Sequence, residues 1–195
     1  MDDEEVSRRI VDGEPYQRAE LTVRRTFPLS LGQKIQVASG ALAASVVIAP
    51  ALFLRRGLIR SIEGTGPLPE TLGLVIVTLA LLGILTTFAA GLVLVRQEYV
   101  VSRRSLTAEQ ARRLVRVEDV VMWFVLQGAT FILIAAAAAV VGLLSPDAVK
   151  RLYGYGVTVY QPSTTFGIDA RLVSGLGVVL AAVLSGAWFR VRALV

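Results

Sequence analysis

Few side chains in this 195-residue sequence could do chemistry. Histidine and cysteine are both absent, which excludes thiol and imidazole catalysis and the common zinc, copper, haem and iron–sulfur sites. No P-loop, GxSxG or HExxH motif occurs. Asp147 and Asp169 form the one candidate carboxylate pair, but a helix cap and a solvated charge explain them better. The sequence therefore predicts a protein that is not an enzyme and holds no cofactor or metal.

Two polar residues stand out inside an apolar stretch. Gln127 and Thr130 are three residues apart and so lie on one face of a helix. An amide within lipid must find a hydrogen-bond partner, so we expect Gln127 to bond across a helix interface. The alternative is a substrate or pore contact. Pumps and coupled transporters place ionisable residues inside the membrane, and the apolar stretches have none between their ends, which argues against ion or proton coupling.

Arginine carries most of the positive charge of a chain whose net charge is +5, since Lys34 and Lys150 are the only lysines. Five arginines lie between the second and third apolar stretches, namely Arg103, Arg104, Arg112, Arg113 and Arg116. Residues 107–117 have helical periodicity and predict an amphipathic helix that lies on the membrane or extends the third span. We expect these arginines to contact anionic lipid headgroups. An acidic cytosolic protein, or nucleic acid bound non-specifically, is the alternative.

Four long apolar stretches must position these residues. They span residues 35–54, 72–95, 120–144 and 172–189. At about 1.5 Å of rise per residue, each is long enough to cross most or all of a hydrocarbon core roughly 30 Å thick. The sequence thus predicts an all-α integral membrane protein with four transmembrane helices in an up-down bundle.

Charge distribution predicts the orientation of this bundle. Residues 1–34 form a polar, partly disordered N-terminal tail, residues 35–189 the membrane domain and residues 190–195 a short C-terminal tail. The two tails and the connection between spans two and three hold 14 of the 20 basic residues, which places both termini in the cytoplasm or in the interior of a virion. Trp123 and Trp188 support this orientation, because each falls at the inner end of its span, where indole rings prefer to lie. Three arginines directly after the first span favour the opposite orientation.

Capping and turn signals predict where several elements begin and end. Ser30 and Gln33 have capping-box spacing, which starts the first span near Leu31, and Thr107 and Gln110 repeat that spacing. Ser145 and Pro146 predict a short helix that ends at Gly154. Residues 156–160 and 166–170 flank a possible turn at 161–165 and suggest a short β-hairpin in the outer loop. Residues 20–26 alternate weakly, as a strand does.

Rows of small residues predict the helix-packing faces, because they allow helix backbones to approach closely. The rows comprise Gly40 and Ala44 on the first span, Gly83, Thr87 and Gly91 on the second, and Gly177, Ala181 and Ser185 on the fourth. Packing within a single four-helix bundle explains them better than an oligomer interface does.

These observations favour a non-enzymatic multi-pass membrane protein. We expect it to act as a structural, assembly or accessory subunit, in a cell or in a membrane-containing virion, through helix packing and a basic inner face. A passive channel or holin-like oligomeric pore is the alternative, and an accessory component of a transporter is a further one. The expected partners are anionic lipid and either a second copy or another membrane protein, and no small-molecule substrate is identifiable.

Overall fold

A computed structural model describes residues 15–23, 25–54, 73–156 and 170–194 of the chain. All the regular elements in these ranges are helical, and they contain no strand. In chain order they are α1 (Pro15–Thr22), α2 (Leu31–Ala44), a 3₁₀ turn (Ser45–Val47), α3 (Ile48–Leu54), α4 (Leu74–Arg103), α5 (Ala108–Leu144), α6 (Pro146–Gly154) and α7 (Ala170–Ala193).

Four helical segments are long and apolar enough to cross a membrane, as the sequence predicts. They are Leu31–Ala51, Val75–Arg103, Ala108–Val141 and Ala170–Ala193. The second and third are longer than the apolar stretches predicted at 72–95 and 120–144. The arginine-rich segment before residue 120 belongs to α5, so it extends the third span as one continuous helix.

The predicted helix caps are confirmed. Capping boxes at Ser30–Gln33 and Thr107–Gln110 start α2 and α5, and the Ser145 hydroxyl accepts a hydrogen bond from the Ala148 N–H at the start of α6. The strand-like alternation at residues 20–26 is misleading, because residues 20–22 belong to α1, which buries Tyr16 and Ala19 on one face. The predicted β-hairpin, at residues 156–170, lies outside the described residues except for its two end positions, of which Ala170 begins α7.

The four long segments share one continuous apolar core. The most extensive contact is between α4 and α5, while α7 packs against α2 and α4. Along α2 and α7 the contacts run in opposite directions: Gly32 lies against Trp188, and Gly177 lies against Ser45. Along α4 and α7 they run in the same direction, from the Gly91–Leu184 contact to the Glu98–Arg192 ion pair.

The first long segment has a local break that a neighbouring helix repairs. Pro50 has no N–H to donate, and the 3₁₀ turn at Ser45–Val47 precedes it. The Ser174 hydroxyl of α7 donates to the Ser45 carbonyl at 2.9 Å and accepts from the Ala49 N–H at 3.0 Å. An interhelical serine therefore bonds two backbone groups at the break, which is how spanning helices tolerate proline.

A second, smaller core lies at the end of the molecule where α4 stops and α5 starts. Tyr16 and Ala19 of α1 pack there against Ala111 and Val115 of α5. We call this region, where α1, the C-terminal ends of α4 and α7, and the first turns of α2 and α5 meet, the basic end. Part of the segment predicted as a tail is thus folded onto the helices.

Candidate functional site

The basic end contains a buried cluster of three polar side chains, which we call the triad: Tyr16, Lys34 and Glu118. Lys34 Nζ lies 2.8 Å from Glu118 Oε2, and both side chains are fully buried. The Tyr16 hydroxyl donates to Glu118 Oε1 at 2.5 Å. Each carboxylate oxygen of Glu118 therefore has its own donor, one from α1 and one from α2.

Helix periodicity places the triad in the interior. Lys34 lies between Leu31, Ile35 and Ala38, all of which are buried on the core face of α2. Glu118 holds the corresponding position on α5, three residues after Val115 and four before Met122. Each charge occupies an apolar position on its helix, so folding must bring the two together.

Burial governs the electrostatics of this cluster. Removing a lysine and a glutamate from water costs several kcal/mol per ion, and a close partner with further hydrogen bonds must offset that cost. Burial, and then the adjacent Glu118 carboxylate, raises the pKa of Tyr16 well above its ordinary value of 10.0. Tyr16 thus keeps its proton and acts as a donor to Glu118 across the physiological range.

The segment between α1 and α2 is fixed by contacts around the triad. The Thr26 N–H donates to Asp119 Oδ2 at 2.7 Å, one residue beyond Glu118. Arg25 forms an ion pair with Glu20 at 3.1 Å and donates to the Leu29 carbonyl at 2.7 Å. Phe27 meets the Trp123 ring edge-on, with the centroids 5.3 Å apart. The chain before the first span is therefore attached to α5 by polar and aromatic contacts.

The C-terminal end of α7 completes the basic end. The Arg192 guanidinium lies 4.3 Å from the centroid of the Trp188 ring and 3.8 Å from Glu98 Oε1 of α4. A Cβ at Gly32 would meet these Trp188 and Arg192 side chains, so a glycine leaves room for them. Arg103 donates to the Leu194 carbonyl at 2.6 Å. Both chain ends of the described fold are thus held at one end of the bundle.

The five predicted lipid-contacting arginines all lie on the exposed surface of the α4–α5 hairpin. Arg103 and Arg104 line an open cavity of about 390 Å³ beside Tyr16. Arg104 and Arg113 line a neighbouring cavity of about 330 Å³ that also has an apolar wall of valines and leucines. Arg112 faces α1, in a third cavity that Arg18 also lines. The structure therefore distributes these arginines around the hairpin rather than along one flat face.

Buried polar atoms without a partner also concentrate here. Six buried side-chain N or O atoms have no hydrogen-bond partner among the described residues. Four of them belong to the basic end, on Arg25, Gln97, Asp119 and Trp188. This end therefore has hydrogen-bonding capacity that the described residues leave unused.

Most of the predicted small-residue rows lie between helices of one chain. A Cβ at Gly83 would lie 2.6 Å from the Gly128 carbonyl oxygen, and Gly128 in turn lies against buried Thr87. Gly91 lies under Leu184, and Gly177 against Ser45. Ala181 is buried, whereas Ala44 and Ser185 are partly buried. Gly40 differs, because it is exposed and a Cβ there would meet nothing within 4 Å.

Gln127 and Thr130 lie on the outer surface of α5 rather than in a helix interface of this chain. Thr130 donates to the Leu126 carbonyl of its own helix at 2.8 Å. The Gln127 side chain makes no hydrogen bond with the described residues. The expected bond across an interface is therefore not made among these residues.

The sequence patterns above predict neither the triad nor Gly128, and the Ser174 hydroxyl, expected to bond its own helix, bonds the backbone of the first long segment instead. A signal for the triad was present: Lys34 and Glu118 interrupt buried apolar faces at helical spacing, which indicates paired charges. Gly128 falls on the same buried face of α5, three residues after Val125 and four before Ile132. Its contact with Gly83 depends on how α4 and α5 are aligned, which one sequence does not specify.

In the part of the chain that the structure describes, no three His, Cys, Asp or Glu side chains group together in a way that could hold a metal ion. The buried Lys34 and Glu118 of the basic end are paired with each other. Comparisons with protein-family models, with curated proteins and with solved structures gave no match.

Proposed function

We propose that this chain is a multi-pass membrane protein that acts without catalysis, as a structural or accessory subunit. In this proposal its four long helical segments cross the bilayer as an up-down bundle, and the basic end presents its arginines on the cytoplasmic side. The observation that carries the proposal is the triad, since the Lys34–Glu118 ion pair holds α2, and the Tyr16 hydrogen bond holds α1, against the projecting end of α5. This basic surface is suited to contact.

The lengths of the helices support a projecting surface. The 37 residues of α5 extend over about 55 Å, whereas a hydrocarbon core is roughly 30 Å thick. Exposed aromatic side chains at Tyr99, Trp123 and Phe189 mark the level at which aromatic residues prefer the membrane interface. Residues before Trp123 on α5 and after Tyr99 on α4 therefore extend beyond the hydrocarbon.

Distance from this aromatic level divides the arginines into two groups. Arg103 and Arg116 lie about 6 and 10 Å along their helices beyond Tyr99 and Trp123, which is within reach of lipid headgroups. Arg112 lies about 16 Å beyond Trp123, where an acidic cytosolic partner is the better match. The proposal therefore assigns headgroup contact to Arg103, Arg104 and Arg116 first.

Packing inside the bundle favours a structural role over a conducting one. Gly83 and Gly128 bring the backbones of α4 and α5 into contact, and Gly91 and Gly177 bring α7 against α4 and α2. These contacts leave no passage between the paired helices at those levels. The proposed role is thus one of packing and attachment.

Two measurements on the full chain test this proposal. Native mass spectrometry from mild detergent should detect retained phosphatidylglycerol on the wild type and less of it on an Arg103→Gln/Arg104→Gln/Arg116→Gln variant. Arg112→Gln, a change at an exposed arginine of the same hairpin that lies beyond the reach of the headgroups, is the control. Proteoliposomes at high protein density should stay sealed to small ions and dyes. Robust flux would overturn the structural role in favour of a pore.

A further inference from the structure

The residue that opens α1 lies beside a cavity lined by arginines. This cavity of about 390 Å³ is bounded on one side by Pro15, the first residue of α1, and on the other by the end of α4 and the loop after it. Arg103, Arg104 and Ser105 line that second side. Tyr16 belongs to the α1 wall, and its place in the triad holds α1 in position. The chain that precedes α1 therefore joins the fold at the edge of a basic cavity.

The arginines of this cavity have unused hydrogen-bond donors. Arg103 donates to the Leu194 carbonyl, which uses one of the five N–H groups of its guanidinium. The side chains of Arg104 and Ser105 make no hydrogen bond or ion pair with the described residues. Three carboxylates of the basic end are already paired with other cations, namely Glu20, Glu98 and Glu118. The positive charge of the cavity thus has no carboxylate partner among the described residues.

A run of four carboxylates lies within reach of this cavity. Residues 2–5 read Asp-Asp-Glu-Glu, and we call them the acidic run. The last of them lies ten residues before Pro15, a length that extends over at most about 35 Å and averages about 17 Å as a flexible coil. The basic residues at the opposite end of the bundle are too distant, since α5 alone extends over about 55 Å. Of the two ends of the bundle, only the basic end can be reached.

We infer that the acidic run binds in the cavity of Arg103 and Arg104. Guanidinium groups bind carboxylates through two parallel hydrogen bonds, and the Ser105 hydroxyl is a further donor. The tether keeps the run at an effective concentration on the order of millimolar, so individually weak ion pairs are sufficient. The cavity on the other side of α1 is a poorer match. Its arginines are Arg18, which already interacts with another group, and Arg112.

The bound run competes with anionic lipid. Arg103 and Arg104 are two of the three arginines to which the proposed function assigns headgroup contact, so this consequence rests on that function. Carboxylates in the cavity compensate the charge of both side chains, and a phosphate must displace them to bind. The chain therefore carries its own competitor for the lipid headgroup.

Distances measured in the full-length protein in lipid-free detergent test the contact. Nitroxides at Ser7→Cys, next to the run, and at Val120→Cys, an exposed position on α5, report where the run lies, since the chain has no cysteine of its own. The natural run should give a narrow distance distribution. Amide substitution of the run should broaden it to about 15 Å, the excursion of a free coil, and 1 M salt should do the same by screening the charges. The amide variant is Asp2→Asn/Asp3→Asn/Glu4→Gln/Glu5→Gln.

Charge reversal locates the binding site. Arg103→Glu/Arg104→Glu should release the acidic run, and reversing the run as well should restore the narrow distribution. The reversed run is Asp2→Lys/Asp3→Lys/Glu4→Lys/Glu5→Lys. Arg112→Gln, on the other side of α1, is the matched control and should leave the distribution unchanged. A distribution that is already broad with the natural run, or that the arginine reversal does not alter, overturns the inference.

Lipid titration separates this inference from the proposed function. In native mass spectrometry the amide variant should bind phosphatidylglycerol about 2- to 10-fold more tightly than the natural sequence, because the competitor has lost its charge. Asp147→Asn, at an exposed acid of the opposite end, is the control and should change nothing. A narrow distance distribution combined with an unaltered lipid affinity supports the bound run and contradicts the headgroup contact of the proposed function instead.

Discussion

The basic end and the middle of the bundle are stabilised in different ways. At the basic end, specific polar pairs join elements distant in sequence, as Tyr16 and Lys34 do with Glu118. In the middle, small residues allow backbones to touch, as Gly83 and Gly128 do. The first region depends on charge complementarity and the second on the absence of side-chain volume. Removing a charge should therefore destabilise the basic end more than the middle, whereas adding a methyl group should destabilise the middle more than the basic end.

The largest effect is expected at the ion pair. Lys34→Met or Glu118→Leu alone leaves a buried charge unpaired and should lower the free energy of unfolding by about 3–5 kcal/mol. The triple variant Tyr16→Phe/Lys34→Met/Glu118→Leu, in which no hydroxyl or charge loses its partner, should recover most of this loss. Unfolding in mixed detergent measures the cycle.

A surface pair at the same end is the control for that cycle. Glu20→Ala removes the partly exposed Arg25–Glu20 contact and should cost less than about 1 kcal/mol. If the Lys34 and Glu118 single variants each lowered the free energy of unfolding as little as Glu20→Ala does, and their effects were additive, water would be screening the pair. The triad would then not hold α1 and α2 against α5.

A smaller effect is expected where helix backbones touch. Gly83→Ala adds one methyl group against the Gly128 carbonyl and should cost about 1–3 kcal/mol, as overpacking does. Gly40→Ala adds the same group where nothing lies within 4 Å, so it should be neutral or slightly stabilising. Equal effects at the two positions would show that the α4–α5 contact is not tight.

The third expected effect depends on pH. Because the pKa of Tyr16 is raised in the fold, the native state keeps a proton that the unfolded state loses above about pH 10. The stabilisation is therefore complete below pH 10 and is lost as the pH rises above it, by up to about 1.4 kcal/mol per pH unit. Tyr16→Phe should remove this component of the alkaline slope, measured as unfolding free energy between pH 9 and 11.5. An identical slope in both proteins would contradict the buried hydrogen bond.

Sequence predicted the helices themselves better than the side-chain contacts of the basic end. Hydropathy and capping boxes identify the four long segments and the starts of α2 and α5, because these signals are local. The triad joins residues 16, 34 and 118, so its formation depends on how α1 folds back, which periodicity does not encode. Gln127 illustrates the same limit: its depth follows from the sequence, whereas its exposure on the outer face depends on how α5 is rotated against α4.

Labelling of single cysteines tests the central account most directly, since the natural chain has none. Ser105 lies in the α4–α5 loop at the basic end, and Tyr155 is 84% exposed just after α6, at the opposite end. A membrane-impermeant maleimide applied to intact cells should label Tyr155→Cys at once, and Ser105→Cys only after permeabilisation. Labelling of both positions from one side of the membrane would contradict the proposed four-span topology and its cytoplasmic basic end.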